Sequence, residues 1–269
     1  MAFSLGPRAL SAGYRLAAFD NIGSTNAEAM LRARDGEHGP MWFVTSEQTA
    51  GRGRRHRPWV APRGNLASSI LEVMDVVPAV AATLGFAAGL ALEQALQRVS
   101  IEASLRQAGS DHLKFALKWP NDVLAGKQKL AGILLEAEAI ADGLAVVVGI
   151  GTNVIAAPEG TPTPATSLAA LGVQISAEEL FAALSDAWVE FRGIWDNGRG
   201  FGEIRKLWLA RAAGLGEKVA VQTGGATLKG IFDTLDETGC MIVRTPDGRR
   251  VPIAAGDVYF GSAASAGAA

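Results

Sequence analysis

The feature that most constrains the fold is a change of pattern near Gly214. From residue 20 to 213, short apolar runs alternate with longer stretches of helical periodicity. After Gly214, short strand-like segments follow one another and are separated by turn sequences such as Gly224-Gly225. Alternation of helices and strands predicts packed layers, whereas strands alone predict a small all-β unit. We therefore expect an α+β fold, with a mixed α/β domain followed by a small C-terminal β-barrel.

Residue type and periodicity place the elements of the first domain. Runs rich in Val, Ile, Leu and aromatic residues predict strands at 41–46, 66–73, 115–119, 132–137 and 144–150. Helices are predicted at 25–34, 79–98 and 177–196, the last with Ser176 and Glu179 at capping-box spacing. Five large apolar residues of that helix repeat at three and four and predict one buried stripe. They are Phe181, Leu184, Trp188, Phe191 and Trp195.

The second part of the chain contains four predicted strands, at 218–223, 226–235, 240–245 and 249–253. Residues 262–269 are only Ala, Ser and Gly, which predicts a disordered tail. We expect domains at 1–213 and 214–261.

Composition excludes several classes of protein. Lys and Arg number 25 against 27 Asp and Glu, a balance that argues against a general nucleic-acid binder. A single cysteine, Cys240, excludes an internal disulfide framework and favours a reducing cytoplasm. The three histidines do not form a metal-ligand spacing with it. The N-terminus lacks a signal-peptide pattern, and the apolar stretch 76–92 is short for a membrane span. We expect a cytoplasmic protein without a membrane partner.

The most informative segment is residues 51–57, with the sequence GRGRRHR, followed by Pro58 and Trp59. Five arginines fall between Arg52 and Arg63 in an otherwise balanced chain. Glycines allow the backbone to approach a ligand closely, and guanidinium groups match phosphate or carboxylate oxygens. The segment therefore predicts an anion-binding loop. It is not a Walker phosphate loop, because no Gly-Lys-Ser/Thr follows. A solvated basic loop or a nucleic-acid patch is the alternative.

Three further segments carry polar residues or glycines at strand ends. Residues 118–122 read KWPND, where a lysine, an amide and a carboxylate could hold a triphosphate and its Mg²⁺. Taken alone, that segment is better interpreted as an ordinary turn. Residues 129–136 read KLAGILLE, and residues 149–153 read GIGTN. The last lacks the third glycine and the following helix of a dinucleotide-binding loop, so it predicts a strand whose glycines let a ligand lie against the backbone.

Together these segments, with Ser24-Thr25-Asn26, resemble the biotin–protein ligases over about residues 20–260. The resemblance implies adenylation of biotin by ATP with Mg²⁺, giving biotinyl-5′-AMP and pyrophosphate. It then implies transfer of the acyl group to one lysine of a biotin carrier protein. It also implies a catalytic domain with an SH3-like C-terminal barrel, in agreement with the change of pattern at Gly214.

Matching motifs carry the family's site residues onto this chain. The implied biotin contacts are Ser24, Thr25, Gln48, Gly51, Arg52, Lys129, Gly132, Gly149 and Gly151. The implied adenylate and ATP contacts are Arg54, Arg55, Arg57, Trp59, Lys118, Asn121, Asp122 and Asn153. Lys118, Arg54 and Lys129 are the catalytic candidates, and Asp122 is a candidate ligand of Mg²⁺. The chain departs from the family pattern at His56, usually Gly, and at Ala67, where some members have Tyr.

Three other functions compete with this interpretation. A lipoate–protein ligase would have a different arginine–glycine loop and a His-containing motif. A bifunctional ligase–repressor would add a DNA-binding module, and only 23 residues precede Ser24, so we expect no specific DNA binding. An inactive binding module would not need Lys118, Arg54 and Lys129. The oligomeric state stays open between monomer and homodimer.

Overall fold

The computed structural model describes residues 2–106, 113–161 and 163–260, and within them it leaves out the side chain of His56. The helices are α1 (Pro7–Ser11), α2 (Thr25–Arg34), α3 (Pro78–Ala82), α4 (Leu84–Arg106), α5 (Ala177–Trp195) and α6 (Phe201–Leu209). The strands of the first sheet are β1 (Arg15–Phe19), β2 (Met41–Thr45), β3 (Leu66–Met74), β4 (Phe115–Lys118), β5 (Asp122–Ala125), β6 (Gln128–Ile140) and β7 (Gly143–Thr152). Those of the second are β8 (Lys218–Thr223), β9 (Ala226–Leu235), β10 (Met241–Arg244), β11 (Arg250–Ile253) and β12 (Asp257–Phe260). The expected α+β class, with a separate C-terminal β unit, is confirmed.

The first sheet is mixed, with strand order β1-β2-β3-β7-β6-β5-β4. Only β1 and β2 pair in parallel; the remaining neighbours are antiparallel. Successive side chains of β2 point to opposite faces. Phe43 therefore packs in a small cluster with Ala29 and Ala33 of α2, whereas Trp42 enters the main core with α4 and α5. Helices thus cover both faces of the sheet.

Helix α5 agrees closely with its prediction. Ser176 accepts a hydrogen bond from the backbone N–H of Glu179, and the Glu179 side chain accepts one from the Ser176 N–H. The five stripe residues are all buried. Phe181 and Trp188 both make edge-to-face contacts with Trp42, at centroid distances of 5.5 and 5.9 Å. The stripe therefore fastens α5 to the sheet.

The prediction of one helix at 79–98 was wrong in its bounds. The chain forms the short α3, turns at Thr83 and continues as α4 to Arg106. Val99, Ser100 and Ala103 stay buried against the core, which extends the helix beyond the apolar run. By length and composition, Pro78–Arg106 is the one helical stretch of the described chain that could cross a membrane, but 67% of its most apolar window is buried in the protein. That burial is typical of a core helix.

The second sheet is antiparallel, with strand order β11-β10-β9-β8-β12. Four strands match predicted ones, but the sequence pattern missed β12, as it also missed α1, β1, β5 and α6. The predicted disordered tail, 262–269, lies outside the described residues. Between the two domains, the Trp119 indole N–H donates to the Gly239 carbonyl at 3.1 Å. The linker that leads to the second sheet bonds to β4 through Leu117. There, the Leu117 N–H donates to the Arg211 carbonyl and the Leu117 carbonyl accepts from the Ala213 N–H, both at 2.8 Å.

Candidate functional site

A cavity of about 290 Å³ opens between the first sheet and β12 of the second. Apart from Gly51, every site residue expected from the sequence lines it. These residues are Ser24, Thr25, Gln48, Arg52, Arg54, Arg55, Arg57, Trp59, Lys118, Asn121, Asp122, Lys129, Gly132, Gly149, Gly151 and Asn153. Gly51 lies behind the wall instead. A Cβ there would fall 2.6 Å from the Trp59 carbonyl and 2.8 Å from Gln48 Nε2, so the chain needs glycine for close packing.

The floor of the cavity is formed by glycines of β6 and β7. Gly132 and Gly151 are directly paired across these strands, and the Trp59 indole lies on them. A Cβ on Gly151 would come within 2.5 Å of that ring. A Cβ on Gly149 would come within 2.1 Å of Asn26 Oδ1. The glycines therefore make room for particular side chains.

A polar network closes one end of the cavity. Ser24 caps α2, and the Gln48 side-chain carbonyl accepts from the backbone N–H and the hydroxyl of Thr25, at 2.8 and 3.1 Å. Buried Ser69 lies 2.7 Å from the Thr25 hydroxyl and 2.6 Å from Asn26 Oδ1. Asn26 and Ser69 were not among the predicted site residues, although Asn26 directly follows Ser24-Thr25. With its carbonyl oxygen engaged, Gln48 keeps its amide N–H groups for a ligand.

Two lysines face the opposite end. Lys118 is buried at the end of β4, and its Nζ lies 5.8 Å from the centre of the Phe260 ring. Burial lowers the pKa of Lys118. The negative charge of Asp122 opposes this shift, and the positive charge of Lys129 adds to it. Lys129 Nζ lies 2.6 Å from Asp122 Oδ1 and 5.5 Å from the centre of the Trp59 ring. Asp122 is ion-paired with Lys129 and acts on Lys118 only at longer range, so the two ammonium groups leave excess positive charge at this end of the cavity.

Two predicted nucleotide contacts also have structural roles. The Asn121 amide donates to the Ile133 carbonyl at 2.7 Å, and the Asn153 amide donates to the Thr166 carbonyl at 3.1 Å. Asn153 Oδ1 and Trp59 Nε1, both on the cavity wall, are buried and have no hydrogen-bond partner in the described part of the chain. Buried polar atoms are rarely left unpaired. This acceptor and this donor are therefore suited to a polar ligand.

The arginine loop folds back on itself and reaches the C-terminal sheet. The Trp59 N–H bonds to the Gly51 carbonyl at 2.9 Å, and the Gly53 N–H bonds to the Arg57 carbonyl at 2.8 Å. Arg55 adopts a left-handed backbone conformation, with φ of 54°. From this loop, Arg54, Arg55 and Arg57 all reach Asp257 of β12, a residue outside every sequence motif.

Other lining residues were also missed, and no sequence signal marks most of them. Residues 256–259 come from the second sheet, which held none of the recognised motifs. Ala67, one of the two noted departures, lies on the cavity wall and is buried. No group of three His, Cys, Asp or Glu side chains that could hold a metal is found in the described residues. Asp122 is the carboxylate that the first sheet places on the cavity wall.

Comparison with known proteins gives consistent matches. Residues 19–153 match the Biotin/lipoate A/B protein ligase family, and residues 214–261 match the biotin protein ligase C terminal domain. The biotin--[acetyl-CoA-carboxylase] ligase of Paracoccus denitrificans is 41% identical over 245 residues, which cover 88% of this chain and 97% of that protein. The ligase of the same name from Mycobacterium tuberculosis is 37% identical over 241 residues, covering 88% and 85%. The biotin protein ligase from Aquifex aeolicus, solved in complex with biotin and ATP, has a similar fold: TM-score 0.74, 24% identity, 92% of this chain and 99% of that chain.

Proposed function

From the premise that this chain belongs to the biotin protein ligase family, we propose that it activates biotin with ATP and transfers the biotinyl group to a carrier protein. Biotin and ATP are converted to biotinyl-5′-AMP and pyrophosphate. The acceptor is a specific lysine of the biotin carrier protein of a biotin-dependent carboxylase. The observation that carries this proposal is the cavity itself, where a glycine floor, two lysines and the arginine loop face one space.

The chemistry requires such a concentration of positive charge. A biotin carboxylate oxygen forms a bond to the α-phosphorus of ATP while the bond to pyrophosphate breaks. Both reactants are anions, so Lys118, Lys129 and Arg54 offset their repulsion before reaction. They also stabilise the charge that develops on the phosphoryl oxygens and the leaving pyrophosphate, and fixed charges do this better than mobile water. The neutral amine of the carrier lysine then attacks the acyl carbon. An amide bond forms, the bond from the acyl carbon to the phosphate oxygen breaks, and AMP and a proton are released.

We assign the ligand sets as the motifs imply. Biotin contacts come from Ser24, Thr25, Gln48, Arg52, Lys129, Gly132, Gly149 and Gly151, with Gly51 supporting them from behind. Nucleotide contacts come from Arg54, Arg55, Arg57, Trp59, Lys118, Asn121, Asp122 and Asn153. The unpartnered Asn153 Oδ1 and Trp59 Nε1 support the assignment, since both need a polar partner.

Mg²⁺ fits this site as an ion that arrives with ATP. Mg²⁺ is commonly bound through one or two carboxylates together with substrate phosphates and water. Asp122 offers one carboxylate on the cavity wall, beside Lys129. Bound there, Mg²⁺ would supply further neutralisation of phosphate charge.

We further propose a cytoplasmic enzyme of two domains, 1–213 and 214–261, that does not bind specific DNA sequences, as a monomer or a homodimer. Its arginine cluster faces the ligand cavity, which argues against use as a DNA-binding surface. A gel shift at physiological salt, with and without biotin and ATP, tests the DNA statement. Retention that depends on sequence and resists salt would contradict it, because nonspecific phosphate contacts weaken steeply with salt.

Incubation with labelled biotin, ATP and a carrier domain tests the main proposal. We expect label on the carrier only when ATP is present, and release of pyrophosphate without carrier. Lys118→Ala should lose this activity, whereas Lys114→Ala, at an exposed position four residues earlier, should retain it. If the enzyme attached lipoate and not biotin to its carrier, the chain would be a lipoate ligase, and the proposal would be wrong.

A further inference from the structure

Asp257 is the point where the C-terminal sheet meets the arginine loop. Its Oδ1 accepts from Arg54 Nη2 at 2.9 Å, and its Oδ2 accepts from Arg55 Nη1 at 3.2 Å and Arg57 Nη2 at 2.9 Å. Arg54 also donates to the Gly256 carbonyl at 3.0 Å. These contacts join residues about two hundred positions apart, so they depend on the docking of the two sheets.

The charges in this cluster do not cancel. Three guanidinium groups carry three positive charges, and the carboxylate offsets one, so two remain for an incoming anion. Burial acts to raise the pKa of Asp257. The hydrogen bond from Arg57 and the charges of the three arginines act in the opposite direction and outweigh it, so the pKa lies below its usual value. The carboxylate is therefore ionised at neutral pH and holds the arginines together, while two of their positive charges remain uncompensated.

The loop has an external tether in addition to its own backbone hydrogen bonds. Arg55 is held at a positive φ, a conformation that costs a residue with a Cβ about 1 kcal/mol or more. Asp257, in contrast, lies on a strand paired to β8 opposite Gln222. Among the three arginines, Arg54 is the most enclosed, with its side chain 29% exposed, so its ion pair is the least screened. A carboxylate on a paired strand thus adds a tether to the second sheet, which the backbone bonds within the loop do not reach.

We propose that Asp257 is a positioning residue that gathers Arg54, Arg55 and Arg57 into a cradle for the phosphate groups of the nucleotide. The C-terminal sheet is then part of the active site. The identity of the nucleotide rests on the proposed function; the tethering of the loop does not.

Kinetics test the cradle. Asp257→Asn keeps the shape of the side chain and removes its charge. We expect it to raise the KM for ATP and the rate at which biotinyl-5′-AMP escapes by about tenfold each, the change expected for loss of one charge-assisted hydrogen bond. The kcat should fall less, and biotin affinity without ATP should not change. Asp257→Glu should recover part of the loss. Asp233→Asn, which removes a carboxylate of the same sheet that pairs with Arg244 and Arg250 away from the cavity, is the matched control.

Trypsin tests the tether without any substrate. We expect slow cleavage after Arg54 and Arg55 in the wild-type protein, faster cleavage in Asp257→Asn, and no change in Asp233→Asn. High salt should also speed cleavage of the wild-type loop, which provides the same test if the Asn variant fails to fold. Unchanged cleavage and unchanged KM in an active enzyme would overturn the inference. A lower KM for ATP would also overturn it, because Asp257 would then compete with phosphate. If the wild-type chain releases no pyrophosphate from biotin and ATP, the proposed function fails, and the trypsin result still decides the tether.

Discussion

Burial governs the behaviour of Lys118, the cation at the end of β4. Its side chain has lost most of its water and has no carboxylate within ion-pair distance in the described residues. A cation held in this way is poised to interact with a developing anion. We expect Lys118→Ala to slow adenylate formation roughly a hundredfold, about 3 kcal/mol, by analogy with the loss of one oxyanion donor. Pyrophosphate release at saturating biotin and ATP measures this, and a near-normal rate would move the role to Lys129.

The lowered pKa of Lys118 also predicts a pH dependence. Desolvation penalises the charged form, so the lysine loses its proton below the usual value of 10.5. Adenylate formation should therefore fall on the alkaline side at a lower pH than an exposed lysine would give. Between the lowered pKa of Lys118 in the folded protein and the usual value of 10.5, the unfolded chain binds more protons than the folded one. In that pH range the contribution of Lys118 to the free energy of unfolding therefore increases as pH rises.

Lys118→Arg separates the two effects, because arginine stays charged throughout. The alkaline fall in the rate of its residual activity should move to higher pH or vanish. A fall at the same pH in both proteins would assign that titration to another group.

At the scale of elements, the glycines of β7 have a measurable function. Gly151→Ala would place a Cβ 2.5 Å from the Trp59 ring and force the indole off the cavity floor. Overpacking of this kind costs about 1–3 kcal/mol, and here we expect part of it as weaker biotin binding. Titration calorimetry with biotin measures the loss. Unchanged affinity would show that Trp59 moves without consequence for the ligand.

Replacing Gly85 of α4 by alanine should stabilise the protein, in contrast to the same replacement at Gly151. A Cβ there meets nothing within 4 Å, and the residue lies within a helix. Gly85→Ala should raise the free energy of unfolding by about 0.5–1 kcal/mol, because glycine loses more backbone entropy on folding. Denaturant unfolding tests this value, and a decrease would reveal packing that the open space does not show. The substitution is also a control for Gly151→Ala, since it adds the same methyl group far from the floor.

Elements were predictable from the sequence where one residue pattern determined them. The stripe of α5 and strands β2, β3, β8 and β9 follow from apolar periodicity and turn residues. β1, β5 and β12 could not be predicted in this way, because each is four or five residues long and begins with a charged residue, so no apolar run marks it. β2 is equally short but consists of an apolar run. The same limit applies to the site. Motif residues within one segment were visible, whereas Asp257 becomes a site residue only through contacts made after folding.

At the scale of the whole molecule, the two sheets share one cavity. Trp119 is buried and donates a hydrogen bond to Gly239, and Asp257 is ion-paired with the arginines of the loop. A chain that ends at Ala213 would lose both contacts. Loss of the Trp119 hydrogen bond alone costs about 1 kcal/mol, and any apolar surface exposed with it adds to that cost. We expect a truncated protein that is less stable and forms adenylate slowly, measured by circular dichroism and by pyrophosphate release. Full activity in a folded truncation would contradict a role for the second sheet.

The hydrogen bonds between the linker and β4 have a consequence for solubility. β4 is an edge strand of the first sheet, and edge strands with free backbone groups recruit other chains. Here Arg211 and Ala213 bond to Leu117 and occupy part of that edge. A cut after Ala213 keeps this cover in place, whereas a chain that ends at Leu209 would expose the edge to neighbouring copies. The chain that ends at Leu209 should therefore self-associate as its concentration rises, which light scattering measures. The chain that ends at Ala213 should not, although the two differ by only four residues.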